Sequence, residues 1–421
     1  MAGDFKIGDD GRRRTTDQLD LLQQANRGRI AWDTEAPADF TFLFDPDHVL
    51  VAAADAKEFE AALDRNSDVV VGSRRRGDDP IEGRLARYEL TDRGEGQSII
   101  DILDVLDADE QFKGRATPDH YLHVTPVAKC CPATEPEETG LKQPWPPTCD
   151  DRARGEGVSV VVVDTGWDER AATDGRTPWL KGVQGDDEQN GPNLREYAGH
   201  GTFIAGVARC LAPASRVFVE GFAVGGAGGG GILESDIVPQ LIQAMRHKPQ
   251  VINLSAGCRT RDDRELLSFE LFWRLFLEGE NCVLVAAAGN DSTAAPFWPA
   301  AFDWAVGVGS LDRDGRVSSF SNHGVSADVY AVGRNLVNAF PDGTYVCHET
   351  PDTGDVRVFS SGMARWSGTS FAAPVVAGMI AAEIPAMGGD ALAARDHVLS
   401  GAVRRSDPEV GPIKVLRPPY C

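Results

Sequence analysis

The chain has 421 residues, more than one ordinary domain needs, and its 64 acidic against 42 basic residues give it a formal net charge of −22. This charge argues against nucleic-acid binding, because a phosphate backbone is bound by a basic face. Hydrophobic residues make up 42% of the chain, but no stretch approaches the roughly 20 consecutive apolar residues that cross a bilayer. We therefore expect no transmembrane segment and no nucleic-acid partner, and a large domain accompanied by a smaller one.

The first 125 residues are predicted to contain an arm and a small module. Residues 1–45 are polar and charged and are predicted to form a loose arm. Residues 46–125 alternate short apolar runs with helical spacing, as in the helix predicted over 99–106. Their predicted order, strand–helix–strand–strand–helix–strand, is typical of a small split βαβ module of the α+β class.

The segment over residues 126–156 interrupts this pattern. It is rich in Pro, Glu and Thr, which predicts a linker. The alternative is a loop that its cysteines strap to the rest of the protein.

Residues 157–402 have the pattern of a larger α/β domain. Runs of β-branched residues, such as Val158–Val163 and Val251–Leu254, alternate with helical stretches such as Ile232–Met245. Strands that are apolar on both faces and separated by helices predict a doubly wound, mostly parallel sheet. Ligand sites in such sheets form beyond the carboxyl ends of the strands. Residues 403–421 are left as a C-terminal tail.

The first candidate site residue is Asp164 in the sequence VSVVVVDTG. It ends a strand of nearly continuous valines, at the point where the chain leaves the core. A carboxylate in such a place needs partners, because the burial of a lone charge is costly. The alternative is a turn-forming aspartate ahead of Gly166.

The second candidate is His200 in GHGTFIAG. Glycines on both sides leave room for other backbone and for a substrate to approach the ring. Histidine is the natural general base near neutral pH. The alternative is a surface histidine at the start of a helix.

The third candidate is Ser370 in SGTSFAAPVVAG. It lies at the predicted N-terminus of a helix of small residues, where Pro374 is tolerated only in the first turn. The free N–H groups of a helix N-terminus stabilise a developing oxyanion. The alternative is an N-capping serine on a core helix.

A fourth candidate is Asn290 in AAAGND, which follows a predicted buried strand and a glycine. Its side-chain amide could donate a hydrogen bond to an oxyanion, alongside the backbone N–H of Ser370. The alternative is an asparagine in an ordinary turn.

Together these motifs resemble the subtilisin-like (S8) serine protease family. They occur in the family's order Asp…His…Ser, with a separation of 36 positions between the first two residues and of 170 positions between the last two. Asn290 lies between His and Ser, as the family places it. The resemblance covers about residues 155–402 and barely reaches the first 125.

The resemblance implies a subtilisin-like fold and a serine endopeptidase that requires no cofactor. Ser370 would be the nucleophile, and His200 its general base and then its acid. Asp164 would orient the histidine and stabilise its cation. Asn290 and the Ser370 N–H would form the oxyanion hole, whose asparagine is worth about 10²–10³ in turnover in this family.

The resemblance also implies where substrate binds. The segment Leu254–Gly257 resembles the edge strand that pairs with an extended substrate, and the residues before Asn290 resemble the opposite wall of the primary specificity pocket. The implied substrate-binding residues are Ser255, Ala256, Gly257, Ala288 and Gly289. Phe297 stands at the pocket base, where the family often has a smaller residue, which predicts a shallow pocket that prefers small side chains.

No metal ligand is assigned. Many family members carry a calcium-binding loop after the histidine helix, and this chain has no room for it. Other acidic residues, namely Asp186, Asp187 and the Asp312–Asp314 turn, have no recognisable ligand pattern. Calcium is therefore left without a clear site.

The module over residues 46–125 resembles the family's inhibitory pro-domain in position, size and predicted topology, but shares no motif with it. As such it would fold against the catalytic domain and block the cleft until it is cut. The alternative is an unrelated accessory or partner-recognition domain.

Three other functions are alternatives to the endopeptidase interpretation. A non-catalytic peptide-binding descendant would usually have lost a triad residue, and none is lost here. An esterase on a doubly wound sheet would carry its serine in a GxSxG motif ahead of the histidine, whereas Ser370 follows His200. Ser-Glu-Asp peptidases are disfavoured because His200 occupies the position of the base.

The amino-terminal sequence and the cysteines bear on the compartment. The N-terminus has arginines but no apolar run after them, which predicts a cytoplasmic site or export by a non-standard route. The alternative is ordinary secretion, with the signal missing from this sequence. Cys210 and Cys282 lie in apolar patterns and are predicted to be buried free thiols. The cysteines in loop-like or terminal positions, which are compatible with disulfides, are Cys130, Cys131, Cys149 and Cys421.

Overall fold

The computed structural model describes residues 9–26, 28–36, 39–66, 70–75, 77, 79–94, 96–123, 134–222 and 231–418. The elements of its first part are α1 (Asp9–Ala25), β1 (Ala31–Trp32), β2 (Leu43–Ala52), α2 (Ala56–Arg65), β3 (Val70–Arg75), β4 (Leu85–Arg93), α3 (Ile99–Ala108), β5 (Ala116–His123) and β6 (Glu137–Glu138). Those that follow, to residue 287, are β7 (Ser159–Asp164), β8 (Gln184–Gly185), α4 (His200–Leu211), β9 (Arg216–Gly221), β10 (Gly231–Leu233), α5 (Glu234–Ala244), β11 (Val251–Leu254), α6 (Leu267–Phe272) and β12 (Val283–Ala287). The last are β13 (Ala305–Leu311), β14 (Val329–Val332), β15 (Leu336–Ala339), β16 (Gly343–Val346), β17 (Val356–Phe359), β18 (Met363–Trp366), α7 (Thr369–Glu383), α8 (Ala391–Ser400), β19 (Val403–Asp407) and β20 (Gly411–Val415).

The N-terminal sheet is antiparallel, with the spatial order β10-β5-β2-β4-β3 and β1 paired to β2. One face buries Phe59 of α2 and Ile102 of α3 in a core separate from that of the larger sheet. Helix α3 starts with a capping box, in which Ser98 Oγ accepts from the Asp101 N–H and the Asp101 carboxylate accepts from the Ser98 N–H. The element order predicted for this module from the sequence is confirmed.

The prediction of a loose arm over residues 1–45 is wrong for the part that the structure describes. Residues 9–25 form the helix α1, which buries Leu19 and Leu22 against a cluster that includes Tyr121 of β5. Asn26 also donates a hydrogen bond of 2.8 Å to the Tyr121 hydroxyl. The burial of these apolar side chains stabilises a helix that would be marginal alone in water.

The linker prediction for residues 126–156 is also wrong where the structure describes them. Residues 134–156 lie against the larger domain, because β6 pairs with β18 and Trp145 exchanges two backbone hydrogen bonds with Val337. Cys149 is disulfide-bonded, as the alternative of a strapped loop implies. Residues 126–133 lie outside the described residues, as do Cys130, Cys131 and Cys421.

The larger sheet has the order β19-β20-β14-β13-β12-β11-β7-β9-β8 and is parallel except for the β19–β20 pair. Every residue of β7 is buried, and the strand is contacted by α4 and by α5. The predicted doubly wound, mostly parallel α/β fold with a small N-terminal module is thus confirmed. Cys210 and Cys282 are free and buried, as predicted.

Residues 403–418 do not form a tail. β19 and β20 make a hairpin, and β20 joins the sheet in parallel with β14 at the pair Tyr330 and Val415. Ile413 and Val415 bury against Leu311 and Tyr330. The apolar alternation of this hairpin is short, which is why the sequence did not reveal it.

None of the helices in the described part of the chain combines the length and the apolar character that crossing a membrane requires.

We expect Leu22→Ala to loosen α1. Leu22 is 1% exposed, so its truncation should lower the free energy of local unfolding of α1 by about 2–5 kcal/mol. Amide hydrogen exchange within residues 9–25 measures this change. Asp20→Ala, which removes an exposed side chain from the same helix, is the control. Equal exchange in the two variants would contradict the packing of α1.

Candidate active site

The predicted site residues meet at one edge of the larger sheet. Asp164 is the last residue of β7, and Asn290 follows β12 closely. His200 and Ser370 are the first and second residues of α4 and α7. Gly199 enters α4 with φ of +79°, and a Cβ there would lie 2.4 Å from Pro341 Cδ, so glycine is required before the histidine.

Asp164 and His200 form a buried pair. His200 Nδ1 lies 2.7 Å from Asp164 Oδ1, and both side chains are almost completely buried. The Thr165 N–H donates a further hydrogen bond of 2.8 Å to the same carboxylate oxygen. The carboxylate acceptor keeps the proton of the imidazole on Nδ1, which leaves Nε2 free to accept a proton.

Aromatic side chains hold the histidine ring in place. The ring centroid of His200 lies 5.4 Å from Trp366 in an edge-on contact and 5.3 Å from Phe371. Phe371 directly follows Ser370, so this contact brings the start of α7 beside the histidine. These apolar neighbours also shield the Asp164–His200 pair from water, which strengthens its hydrogen bond.

Ser370 is tied to the end of β11. Its Oγ lies 3.5 Å from the Ser255 carbonyl oxygen, and the Ser255 hydroxyl donates a hydrogen bond of 2.9 Å to the Ser370 carbonyl. Asn253 Nδ2 donates in turn to Ser255 Oγ at 3.0 Å. These contacts fix the position of Ser370 relative to the segment that is predicted to bind substrate.

The Asn290 amide is oriented by Thr369. Asn290 Oδ1 accepts hydrogen bonds from the Thr369 N–H at 2.9 Å and from the Thr369 hydroxyl at 3.0 Å. With its oxygen engaged in this way, the orientation of the amide is fixed and its Nδ2 remains as a hydrogen-bond donor. That donor and the N–H of Ser370 are the two groups that an oxyanion hole needs.

The two predicted walls of the substrate pocket face each other across Phe297. A Cβ on Gly257 would lie 2.4 Å from the Phe297 ring, and a Cβ on Gly289 would lie 2.9 Å from it. Ala256 and Ala288 are fully buried behind these glycines. All nine residues predicted for the site are thus brought together by the fold.

The end of β5 pairs with the segment Ser255–Gly257, where substrate is predicted to bind. The sequence did not reveal this contact. The His123 N–H donates to the Gly257 carbonyl at 3.0 Å, and the Gly257 N–H donates to the His123 carbonyl at 3.2 Å. On its other side, Tyr121–His123 pairs antiparallel with Gly231–Leu233 of β10. A segment of the N-terminal module therefore lies as a strand between two elements of the catalytic part.

Buried polar groups join the module to the start of α5. Asp119 accepts from the Ser235 N–H at 3.0 Å and from its hydroxyl at 2.7 Å. Burial raises the pKa of Asp119 to about 7. His120 Nε2 accepts from the Arg261 N–H at 3.1 Å, so its Nδ1 carries the proton and donates to Glu234 Oε2 at 3.3 Å.

Ion pairs extend this contact. Arg261 lies 2.5 Å from Asp104 and 2.6 Å from Asp107, both on α3 of the module. Arg264 adds a pair of 3.0 Å with Asp107. The module is thus attached by backbone pairing, by buried hydrogen bonds and by charge.

Glu188 supports the Asp164–His200 pair and was also missed. Its carboxylate accepts from the Thr165 hydroxyl at 2.8 Å and from the Gly199 N–H at 2.8 Å. These are the residues directly after Asp164 and directly before His200. Burial raises the pKa of Glu188 to about 7. An acidic residue in the stretch between the Asp and His motifs was the only available signal.

The described residues contain no group of three or more His, Cys, Asp or Glu side chains that could hold a metal ion. Asp186 accepts from the Gly221 N–H, and Asp312 accepts from the Ser318 hydroxyl and pairs with Arg334.

The fold and the site define a doubly wound α/β protein with an Asp–His pair beside a serine at a helix N-terminus. Residues 155–402, more than half of the chain, match the Subtilase family. The chain belongs to this family.

Curated relatives are proteases of this family. The chain is 30% identical over 258 residues to a thermophilic serine proteinase of Bacillus sp. strain AK1 and 29% identical over 255 residues to thermitase of Thermoactinomyces vulgaris. Each alignment covers 58% of this chain, and 56% and 79% of those proteins, respectively. Subtilisin-like protease 1 of Trichophyton rubrum is 31% identical over 242 residues, which are 55% of this chain and 42% of that protein. The match thus spans about half the length of two of these three relatives.

A solved structure shares the fold. Fervidolysin from Fervidobacterium pennivorans, described as a keratinolytic enzyme related to subtilisin, has 19% sequence identity and a TM-score of 0.57. The superposition covers 89% of this chain and 60% of that one, so it extends well beyond residues 155–402.

We expect Glu188→Gln to change how stability depends on pH. A carboxyl whose pKa is raised by folding, here from 4.5 to about 7, contributes stability that is present at acidic pH and lost as pH rises through 7. The glutamine does not ionise, so the stability of this variant relative to wild type should rise by about 3 kcal/mol between pH 4.5 and pH 8.

Urea denaturation at a series of pH values measures this difference, with Ser370→Ala in every chain to prevent self-digestion. Glu82→Gln, which changes an exposed carboxyl, is the control. Parallel curves for Glu188→Gln and wild type would contradict the assignment.

Proposed function

We propose that this chain is a serine endopeptidase that hydrolyses peptide bonds through an acyl-enzyme on Ser370. The observation that carries the proposal is the 2.7 Å pair of Asp164 and His200 beside a serine at the start of α7. Membership of the Subtilase family and relatives that are named proteinases support it.

Acylation follows from the geometry. Ser370 Oγ attacks the substrate carbonyl carbon while His200 Nε2 takes the serine proton. The proton on Nδ1 stays with the imidazole, and the Asp164 carboxylate stabilises the resulting cation. The carbonyl oxygen becomes an oxyanion, which Asn290 Nδ2 and the Ser370 N–H stabilise by hydrogen bonds. His200 then gives its proton to the leaving amine, and the peptide C–N bond breaks.

Deacylation repeats these steps with water. His200 takes a proton from the water molecule, whose oxygen attacks the acyl carbon. The oxyanion forms in the same hole and collapses, which breaks the bond between the acyl carbon and Ser370 Oγ. His200 returns its proton to Ser370 Oγ, and the carboxylic acid product leaves. The enzyme is regenerated and requires no cofactor.

We propose that substrates bind as an extended strand along Ser255–Gly257, between this segment and β10. The support is the antiparallel pairing that His123 already makes with Gly257. Backbone pairing supplies affinity without regard to sequence, and the side-chain pockets supply specificity.

We also propose that the N-terminal module is an intramolecular inhibitor. Its strand β5 lies on the edge that a substrate would use, and Asp119 and Asp107 bind groups of the catalytic part next to that edge. Access then requires that β5 be withdrawn, either by detachment of the module or by its removal.

Loss of the nucleophile tests the proposed activity. We expect Ser370→Ala to lower cleavage of an unstructured protein substrate by about 10⁴-fold or more, and to abolish self-cleavage between residues 125 and 157. Product analysis by mass spectrometry measures both. Ser360→Ala, an exposed serine nearby, should be unchanged. Equal activity of Ser370→Ala and wild type would sink the proposal.

Weakening of the charged contact tests the inhibition. We expect the double variant Asp104→Ala, Asp107→Ala to raise the initial activity of the uncut chain on a short peptide about two- to tenfold, because it removes the carboxylates that face Arg261 and Arg264. Asp64→Ala, an exposed acidic residue of the same module, is the matched control. No change in the double variant would argue for an accessory module instead.

A further inference from the structure

The ring of Phe297 fills the space between the two walls of the predicted specificity pocket. It lies so close to both walls that a Cβ on either Gly257 or Gly289 would overlap it, at 2.4 Å and 2.9 Å. The phenylalanine is only 4% exposed. An aromatic ring thus occupies the space between the two glycines.

The backbone that carries this ring is held on both sides. The Phe297 N–H donates to Ser326 Oγ at 2.8 Å, and the Ala301 N–H donates to the Phe297 carbonyl at 3.0 Å. The next residue, Trp298, exchanges two hydrogen bonds of 2.9 Å with Cys258. These bonds fix the backbone from which the ring projects, and the ring itself is buried, so it forms part of the pocket floor.

The pairing of His123 shows which substrate residue meets this floor. In an antiparallel ladder the residue two positions beyond the one that pairs with Gly257 lies opposite Ser255. The Ser255 carbonyl is 3.5 Å from Ser370 Oγ. A substrate in the same register therefore has its attacked residue, P1, opposite Ser255, and its P3 residue opposite Gly257.

The His123 ring lies against the Phe297 ring. It meets the Phe297 ring edge-on, with centroids 6.1 Å apart, and His123 is 7% exposed. Alternate residues of a strand point to the same side, so P1 and P3 side chains both face Phe297. A small P1 side chain leaves the ring uncovered, and a ring at P3 can then pack on it.

We infer that Phe297 closes the primary pocket, so that the enzyme cleaves after Gly, Ala or Ser and favours an aromatic or histidine side chain at P3. The inference rests on the proposed endopeptidase function. A large P1 side chain would overlap the Phe297 ring, which should disfavour it by about 100-fold or more. An edge-on ring pair at P3 should add about two- to tenfold.

Competition between peptides measures both preferences in the full chain. Peptides that differ only in Ala or Phe at P1, and only in Ala or His at P3, are mixed in one tube and their products are quantified. Ratios of kcat/KM from such a mixture do not depend on how much of the enzyme is open. Wild type should favour Ala at P1 and His at P3.

Two substitutions at position 297 provide the matched comparison. Phe297→Ala should raise the P1 Phe to P1 Ala ratio at least about tenfold and remove the P3 preference, and Phe297→Leu should fall between it and wild type. Phe276→Ala removes a phenyl ring that packs on Phe272, and should keep both wild-type ratios. Thermal melting establishes that each variant is folded.

Labelling of Ser370 with a fluorophosphonate distinguishes failure of the pocket inference from failure of the proposed function. If Ser370 is labelled but wild type cleaves after Phe as well as after Ala, or shows no P1 dependence, the pocket inference is overturned alone. The pocket inference is also overturned alone if Ser370 is labelled and the Phe297 variants keep the wild-type P1 and P3 ratios of kcat/KM. If Ser370 is not labelled and no peptide is cleaved, the proposed function is overturned and the pocket inference with it.

Discussion

The contact between α4 and α7 sets how closely His200 can approach Ser370. Gly378 lies against α4 so tightly that an added Cβ would be 2.7 Å from the nearest side-chain atom. An added Cβ on Gly201, next to the histidine, would lie even closer to its neighbour, at 2.1 Å from the Gly166 carbonyl oxygen. A side chain at Gly378 would push α7 away from α4, and one at Gly201 would push the start of α4 away from the chain after β7. Proton transfer requires hydrogen-bond distance, so the chemistry depends on two glycines that take no part in it.

The N-terminal module supplies hydrogen-bond and ion-pair partners to polar groups of the larger domain. The first N–H groups of a helix have no partner within that helix, and Asp119 supplies one for α5 at Ser235. The edge at Gly257 is paired by His123, and the charge of Arg261 is met by α3. Apolar side chains close the same contact, because Leu50, Leu85 and Leu122 of the module lie in one buried cluster with residues of the larger domain. Withdrawal of the module therefore has to expose these side chains as well as leave the polar groups to other partners.

The triad and Asn290 were predictable because each stands in a short motif with a local physical meaning. A carboxylate ending a valine strand and a serine opening a helix of small residues are features of neighbouring positions. Glu188 has no such motif, since its partners Thr165 and Gly199 are 23 and 11 residues away. α1 was missed because its buried leucines stand in a strongly charged stretch, where polarity predicts a loose arm. Contacts of this kind are decided by tertiary packing.

The position of β5 also limits the backbone conformation that a substrate can have in the cleft. β10 and Gly257 lie on either side of a single strand, and two strand spacings make a gap of about 10 Å. A helix with its side chains is at least that wide and has its backbone N–H groups already engaged, so it can neither enter nor pair. With the proposed endopeptidase function, a folded protein would be cut only where a loop can extend or a segment locally unfolds. The cleft would therefore require that a target segment can become extended, whatever its side chains are.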